Sequence, residues 1–283
     1  MGDIYKQFAN SLMENRPVHR HLRRLSVFTA TLLIGLSCPL HIAVRSLGIQ
    51  AAQAQTNQER NEEGLRLNQL GLQQLNKGEF PEALKTFEQV LVIFRAIGNR
   101  QGEGTALNNI GAVYDNLGQY PKTLEYYQQA LVIDREIGNS QSEGTTLNNI
   151  GAVYWKLGQY PKALDYYQQA LAFRKKTGDQ VGEGTTLHNI GAVYWNLAQY
   201  PKALEYYQQA LAIHKQTSNR AGEGQTLNNI GLIYKSLGQY SKALENYQQA
   251  FAIHQEIGNK VGEGTALNNL GEFTTVWEDI LKP

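Results

Sequence analysis

From residue 61 onward the chain repeats itself every 40 residues, and the blocks beginning at 61, 101, 141, 181 and 221 align without a gap. This period constrains the fold more than any other feature. A unit of this size cannot bury its own apolar face and must stack on its neighbours. Gly-Ala-Val-Tyr recurs at 111–114, 151–154 and 191–194 and becomes Gly231-Leu232-Ile233-Tyr234 in the fifth block. Tyr-Gln-Gln-Ala recurs at 127, 167, 207 and 247.

Within a block, Leu107, Ile110, Gly111, Tyr114 and Leu117 fall at helical spacing. Gly118 then breaks the pattern, as suits a residue just past a helix end, and Pro121 opens a second periodic segment. Prolines at 81, 161 and 201 hold the same place in other blocks. The second segment presents Leu124, Tyr127, Ala130 and Leu131 on one face and stops at Gly138-Asn139. Each block therefore predicts two antiparallel helices, approaching closely at the small residues Gly111 and Ala130, with Tyr114 and Tyr127 filling the space around them. The Gly-Asn-x-x-Gly-Glu-Gly stretches, such as 98–104, are expected to be linkers between units. The second helices vary at one phase, occupied by Phe94, Asp134, Arg174, His214 and His254, which is expected to face solvent.

The first 54 residues differ in kind. They carry six basic side chains, Lys6, Arg16, Arg20, Arg23, Arg24 and Arg45, against Asp3 and Glu14. Of the chain's 26 basic and 25 acidic residues, 20 and 23 then remain for residues 55–283, a net of −3. The basic stretch Arg16–Arg24, the apolar run Leu25–Val44 and the Ala52-Gln53-Ala54 box occur in the order of a secretory signal peptide, with cleavage expected after Ala54. The alternative is an uncleaved membrane anchor, although Pro39 and His41 interrupt the run. Cys38, the only cysteine, excludes an intramolecular disulfide framework. The domain organisation read from the sequence is a leader at 1–54, a linker at 55–60, five units at 61–260, and a partial sixth unit or cap at 261–283.

Leu107-x2-Ile110-Gly111-x2-Tyr114, followed by Thr123-x3-Tyr127-x2-Ala130, resembles the tetratricopeptide repeat pattern. Ala163, Ala203 and Ala243 give the alanine that this pattern expects before Tyr167, Tyr207 and Tyr247, and the first block has Gly71, Ala83 and Phe87. Leucine replaces the usual tryptophan at 107, 147, 187 and 227, and the 40-residue period is similar to that of kinesin light chain repeats and of repeats common in cyanobacterial proteins. The resemblance implies an all-α fold, a right-handed α-solenoid of antiparallel helix pairs. It also implies a concave groove lined by the first helices, where a protein or peptide partner binds. The groove positions so implied are Asn108, Asn148, His188 and Asn228, with Asn268 in the sixth block, and Asp115, Trp155, Trp195 and Lys235. Trp155 and Trp195 occur at one phase in the middle two units only, which favours an exposed aromatic pair over a core role. The asparagine row has two readings: clamping an extended peptide backbone, or satisfying helix ends and each other. Asn109, Asn149, Asn189, Asn229 and Asn269 are the same in the second to sixth blocks and read as structural.

No catalytic constellation stands out. Residues 55–283 keep only His188, His214 and His254, the Gly102-Glu103-Gly104 run precedes no strand, and no cofactor or metal is expected. The acidic balance argues against nucleic acid as partner. The functional expectation is an exported bacterial scaffold or adaptor, not an enzyme. The rivals are a regulatory fragment of a protease or signalling system and, more remotely, a helical-repeat RNA binder. The C-terminal end, where Glu272 onward departs from the repeat, is expected to act as a cap or to support self-association.

Overall fold

The computed structural model describes residue 53 and residues 56–280, with side chains through Gly271; the leader and its cleavage box lie outside the described residues. The chain divides into two units, Met1–Glu59 and Arg60–Pro283, and the repeats form the second. Its helices are α1 (60–77), α2 (Phe80–Ala96), α3 (Arg100–Asn116), α4 (Tyr120–Glu136), α5 (Ser140–Lys156), α6 (Tyr160–Thr177), α7 (Gln180–Asn196), α8 (Tyr200–Gln216), α9 (Arg220–Ser236), α10 (Tyr240–Glu256) and α11 (Lys260–Ile280). Odd-numbered helices open a unit and even-numbered helices close it. From α3 to α10 each helix packs most extensively on its partner within the unit, and each closing helix from α2 to α10 also packs on the opening helix of the next unit. The result is an α-solenoid of antiparallel helix pairs.

Two kinds of turn, most of them three residues long, generate the period. After α3 comes Leu117-Gly118-Gln119, with Gly118 at φ +69°, a left-handed conformation that glycine adopts without a Cβ penalty. Pro121 then lies in the first turn of α4, where its missing N–H costs nothing. After α2 comes Ile97-Gly98-Asn99, and the Asn99 side chain accepts a hydrogen bond from the Gly102 amide at 2.8 Å, capping α3. Asn139, Asp179, Asn219 and Asn259 cap the later opening helices in the same way.

The expected linkers are therefore helical. Gly102-Glu103-Gly104 lies in the first turn of α3, and the residues beyond a 34-residue unit lengthen the helices, most to 17 residues, rather than the connections. Glu103 sits where a carboxylate complements the helix N-terminus and is ion-paired with Arg95 at 2.8 Å and Arg100 at 2.5 Å.

The two glycines have a packing function, which corrects the solvent-facing assignment of the variable phase. His214 lies between the backbones of α7 and α9, so close that a Cβ on Gly184 or Gly222 would fall 2.9 or 2.7 Å from its ring. Phe94 fills the same slot between Gly64 and Gly102, and His254 fills it between Gly224 and Gly262. Phe94, Asp134, Arg174, His214 and His254 are all buried, at 1–8% exposure. The slot accepts unlike side chains because glycine makes room on both walls around Phe94, Arg174, His214 and His254, and on one wall around the smaller Asp134, where Ser142 forms the other. Each polar occupant finds its own partner: Asp134 accepts from the Thr146 hydroxyl at 2.8 Å, and Arg174 pairs with Asp179 at 3.1 Å. Asp134 is an imperfect tenant, because burial pushes its carboxyl up to about 6.

A second close approach holds each pair together. The rings of Phe87, Tyr127, Tyr167, Tyr207 and Tyr247 lie on Gly71, Gly111, Gly151, Gly191 and Gly231, 2.6–2.8 Å from where a Cβ would stand. Around this seat Leu107, Ile110, Val113 and Ala130 are all but fully buried. Gly151→Ala should destabilise the protein by roughly 1–3 kcal/mol, since Tyr167 would be forced from its place. Its equivalent on α11, Gly271→Ala, meets no described atom within 4 Å and should stabilise by up to about 1 kcal/mol through helix propensity. Urea melts of the two variants compare them directly. Asp134→Asn keeps the Thr146 contact and removes a buried charge. It should stabilise by roughly 1–3 kcal/mol above pH 6. A raised carboxyl pKa weakens the fold as pH rises from 3.8 towards 6, so the benefit should shrink towards pH 4 in melts across that range.

Candidate binding groove

The opening helices place the two asparagine rows on adjacent helical positions, where they meet across unit boundaries. Asn109 donates to Asn68 at 2.8 Å, Asn189 to Asn148 at 3.1 Å and Asn269 to Asn228 at 2.8 Å. In the fourth block His188 takes the asparagine place, and Asn229 donates to its Nε2 at 3.2 Å. A threonine of the next opening helix completes the ladder. Asn108 donates to Thr146 at 2.8 Å, Thr186 donates to Asn148 at 3.4 Å, and His188 Nδ1 pairs with Thr226 at 2.9 Å. Asn148 and Asn228 are buried and Asn108 and His188 half-buried, whereas Asn268 on α11 is exposed. Of the two readings of this row, the mutual one is observed, and the side chains serve largely to bind unit to unit.

The residues expected two turns further along behave differently. Trp155 and Trp195 are half-buried: Trp155 packs on the Ala163–Tyr167 cluster, and Trp195 leans on Tyr200 with ring centroids 5.1 Å apart. Between them opens a cavity of about 450 Å³ with His188, Tyr167 and Tyr207 in its lining. The structure thus brings Trp155, His188 and Trp195 together, and Lys235, Asp115 and Asn108 lie outside that lining. Asp115 forms an ion pair with Lys156 of the next unit at 2.7 Å, which neutralises this part of the wall. The buried Trp155 indole N–H of this lining has no hydrogen-bond partner, and outside the lining the same holds for Asn108 Oδ1 and Asp115 Oδ1.

Sequence reasoning missed Tyr167, Tyr207, Asn189, Asn229 and Leu232, which also line the cavity. Four of the five belong to motifs shared by all units and read as core or structural. Leu232 carried a usable signal, since it replaces the alanine found at 112, 152 and 192. Among the described residues no group of three or more His, Cys, Asp or Glu is placed to hold a metal ion, and no helix is long and apolar enough to cross a membrane.

The tetratricopeptide repeat family profile matches residues 65–136, 103–176, 142–216, 182–256 and 222–272 in overlapping windows that span the stack. The chain belongs to the tetratricopeptide repeat family. No curated protein matches it in sequence. Solved tetratricopeptide-like structures similar to it include BtubC from P. vanneervenii, 21% identical, with a TM-score of 0.61 over 74% of this chain and 91% of that one. A putative kinesin light chain from Podosopora anserina is 21% identical, with a TM-score of 0.54 over 69% of this chain and 96% of its own. A Rap protein solved in complex with Competence and Sporulation Factor is 19% identical, with a TM-score of 0.63 over 74% of this chain. This chain covers 62% of that Rap protein, and at these identities the likeness carries the fold alone.

In this tetratricopeptide stack His188 is the one ladder position that titrates. Burial holds its pKa down at about 4, assisted by His214. With Asn229 donating to Nε2, the neutral ring carries its proton on Nδ1 and donates to Thr226. A second proton would set two N–H groups against each other. Because the folded pKa lies below the unfolded 6.5, the unfolded chain binds more protons, and stability falls as pH drops from 6.5 towards 4. His188→Asn restores the residue of the other units and should remove roughly 1–3 kcal/mol of this acid sensitivity. Burial also lowers His214 and His254, so a residual slope of the same sign should remain in urea melts between pH 4 and 7.

Proposed function

We propose that the protein is a non-catalytic interaction scaffold that binds an extended peptide or protein segment along its concave face, centred on Trp155, His188 and Trp195. The observation that carries this reading is the cavity of about 450 Å³ between the two tryptophans, lined by the buried Trp155 indole N–H that has no hydrogen-bond partner. A buried polar atom without a partner costs about 1–3 kcal/mol, which a ligand offering the complementary group relieves. A peptide main chain offers both N–H and C=O. The flanking indoles add large apolar area at small entropic cost, and the Lys156–Asp115 pair leaves the wall with no net charge demand. Those features favour a neutral, partly apolar segment.

The rest of the groove, Asn148, Asn228 and Lys235, extends the surface beyond the cavity. A rigid stack ordered by its own ladder loses little entropy on binding, so the ligand bears most of the ordering cost. That a neighbouring structure, the Rap conjugation gene regulator of the plasmid pLS20, is solved in complex with the Phr* peptide supports a peptide partner without naming one for this chain. The leader supports placing this scaffold outside the cytoplasm, as an exported protein or one tethered by an uncleaved segment.

The test is a panel of unstructured peptides of varied charge and apolarity, titrated against the full chain and against Trp155→Ala/Trp195→Ala. Peptides that bind should be neutral and apolar-rich, and the double variant should weaken them at least tenfold at a temperature where both proteins keep full helical content. Equal binding by both proteins would remove the groove assignment.

A further inference from the structure

His188, Gln225 and Leu232 each replace a residue that the other three of the helices α3, α5, α7 and α9 have in common, asparagine, threonine and alanine respectively. All three line the cavity between the tryptophans. These departures from the repeat, scattered in sequence, gather in one place.

Most polar groups of that lining are already engaged within the chain. Lys156 pairs with Asp115, the Asn189 amide donates to Asn148, and that of Asn196 donates to the Ala192 carbonyl. Asn229 donates to His188, whose other nitrogen meets Thr226. Gln225, in contrast, is exposed. On the same face of α9, seven residues on, Leu232 is half-buried and stands at the helical level of Ala152 and Ala192, one turn before that of the two indoles. This face of α9 thus offers an amide at one point and an apolar surface, shared with the indoles, about 10 Å further along the axis.

That distance discriminates between ligand backbones. In an extended strand the side chains of one face recur at about 7 and then about 13 Å, and neither value matches. In polyproline II every third residue returns to the same face after about 9 Å. We propose, resting on the reading of the groove as a peptide site, that the cavity selects a polyproline II segment lying along α9. An aromatic residue of the segment packs on Leu232 and the indoles, and an amide side chain three residues away meets Gln225. The walls suit such a ligand. Polyproline II is ordered before it binds and docks on aromatic surface, here the rings of Trp155, Trp195, Tyr167 and Tyr207. Two facing amides exchange a donor and an acceptor. Leu232 and Gln225 are then the specificity-determining residues, one for each end of the motif.

The probes are blocked hexapeptides titrated by calorimetry against the full chain: Ac-Pro-Tyr-Pro-Pro-Gln-Pro-NH2, its reversed sequence, and Ac-Pro-Tyr-Pro-Gln-Pro-Pro-NH2, in which tyrosine and glutamine are two apart. The spacing of three should bind in at least one direction, roughly threefold to tenfold more tightly than the spacing of two. Gln225→Thr installs the residue of the other units, so the fold is kept. It should erase that preference and leave the peptide with the shorter spacing unchanged. Leu232→Ala, also a residue of the other units, should weaken every peptide that binds. Equal affinity for the two spacings, a preference that survives Gln225→Thr, or a Leu232→Ala variant that binds like the wild type would overturn the proposal. If Trp155→Ala/Trp195→Ala still weakens binding in those cases, the groove reading stands. Failure of all three probes to bind would overturn the polyproline II ligand as well, and the groove would then depend on the wider peptide panel alone.

Discussion

The stack depends on an aromatic ring lying directly on a glycine backbone. In each complete pair a Phe or Tyr of the closing helix rests on the opening helix at a distance that no Cβ would permit. The contact sets the separation of the two axes, and the neighbouring leucine, isoleucine and valine positions are buried because of it. The Gly-Glu-Gly turn then repeats the device across the boundary between units. One glycine faces the closing helix of its own unit, the next faces that of the preceding unit, and both make room for one bulky side chain. Within-pair and between-pair packing thus follow one rule, which is why the period extends through the array without gap or correction.

Most of this architecture was legible in the sequence because it is periodic. The helix pairs, the prolines in closing-helix first turns and the left-handed glycines all follow from spacing. Two readings failed for one physical reason: variability and glycine content were taken as marks of solvent exposure. Position 214 varies among Phe, Asp, Arg and His, yet each is buried, because a slot with glycine walls tolerates shape and leaves the polar occupants to find their own partners. The same glycines suggested a linker at 102–104, although an N-capping asparagine had already started the helix at Arg100. Asn99 was the available signal, and it outweighs the propensity cost of two glycines.

The groove was legible only in part. The tryptophans were identified because they break the repeat, and the cavity lies beside them. The tyrosines lining it were invisible as site residues because repetition marks them as core. They are in fact both, with one face on a glycine and the other at the cavity. The asparagine row shows the opposite difficulty. Its chemistry suits a peptide clamp, but its geometry commits most of it to a ladder between units, and no single sequence distinguishes the two uses of an amide.

That ladder and the binding surface are physically linked. An amide bonded across a unit boundary fixes the angle between successive opening helices, and that angle sets the curvature and the spacing of the two indoles. Where the ladder closes, as between Asn228 and Asn269, the Asn228 carbonyl oxygen is engaged by the neighbouring unit. Where it does not, Asn108 keeps a free Oδ1, outside the lining between the tryptophans. The two indoles occur only in the middle units, where the repeat departs from its own consensus, and the buried Trp155 N–H there has no hydrogen-bond partner within the chain.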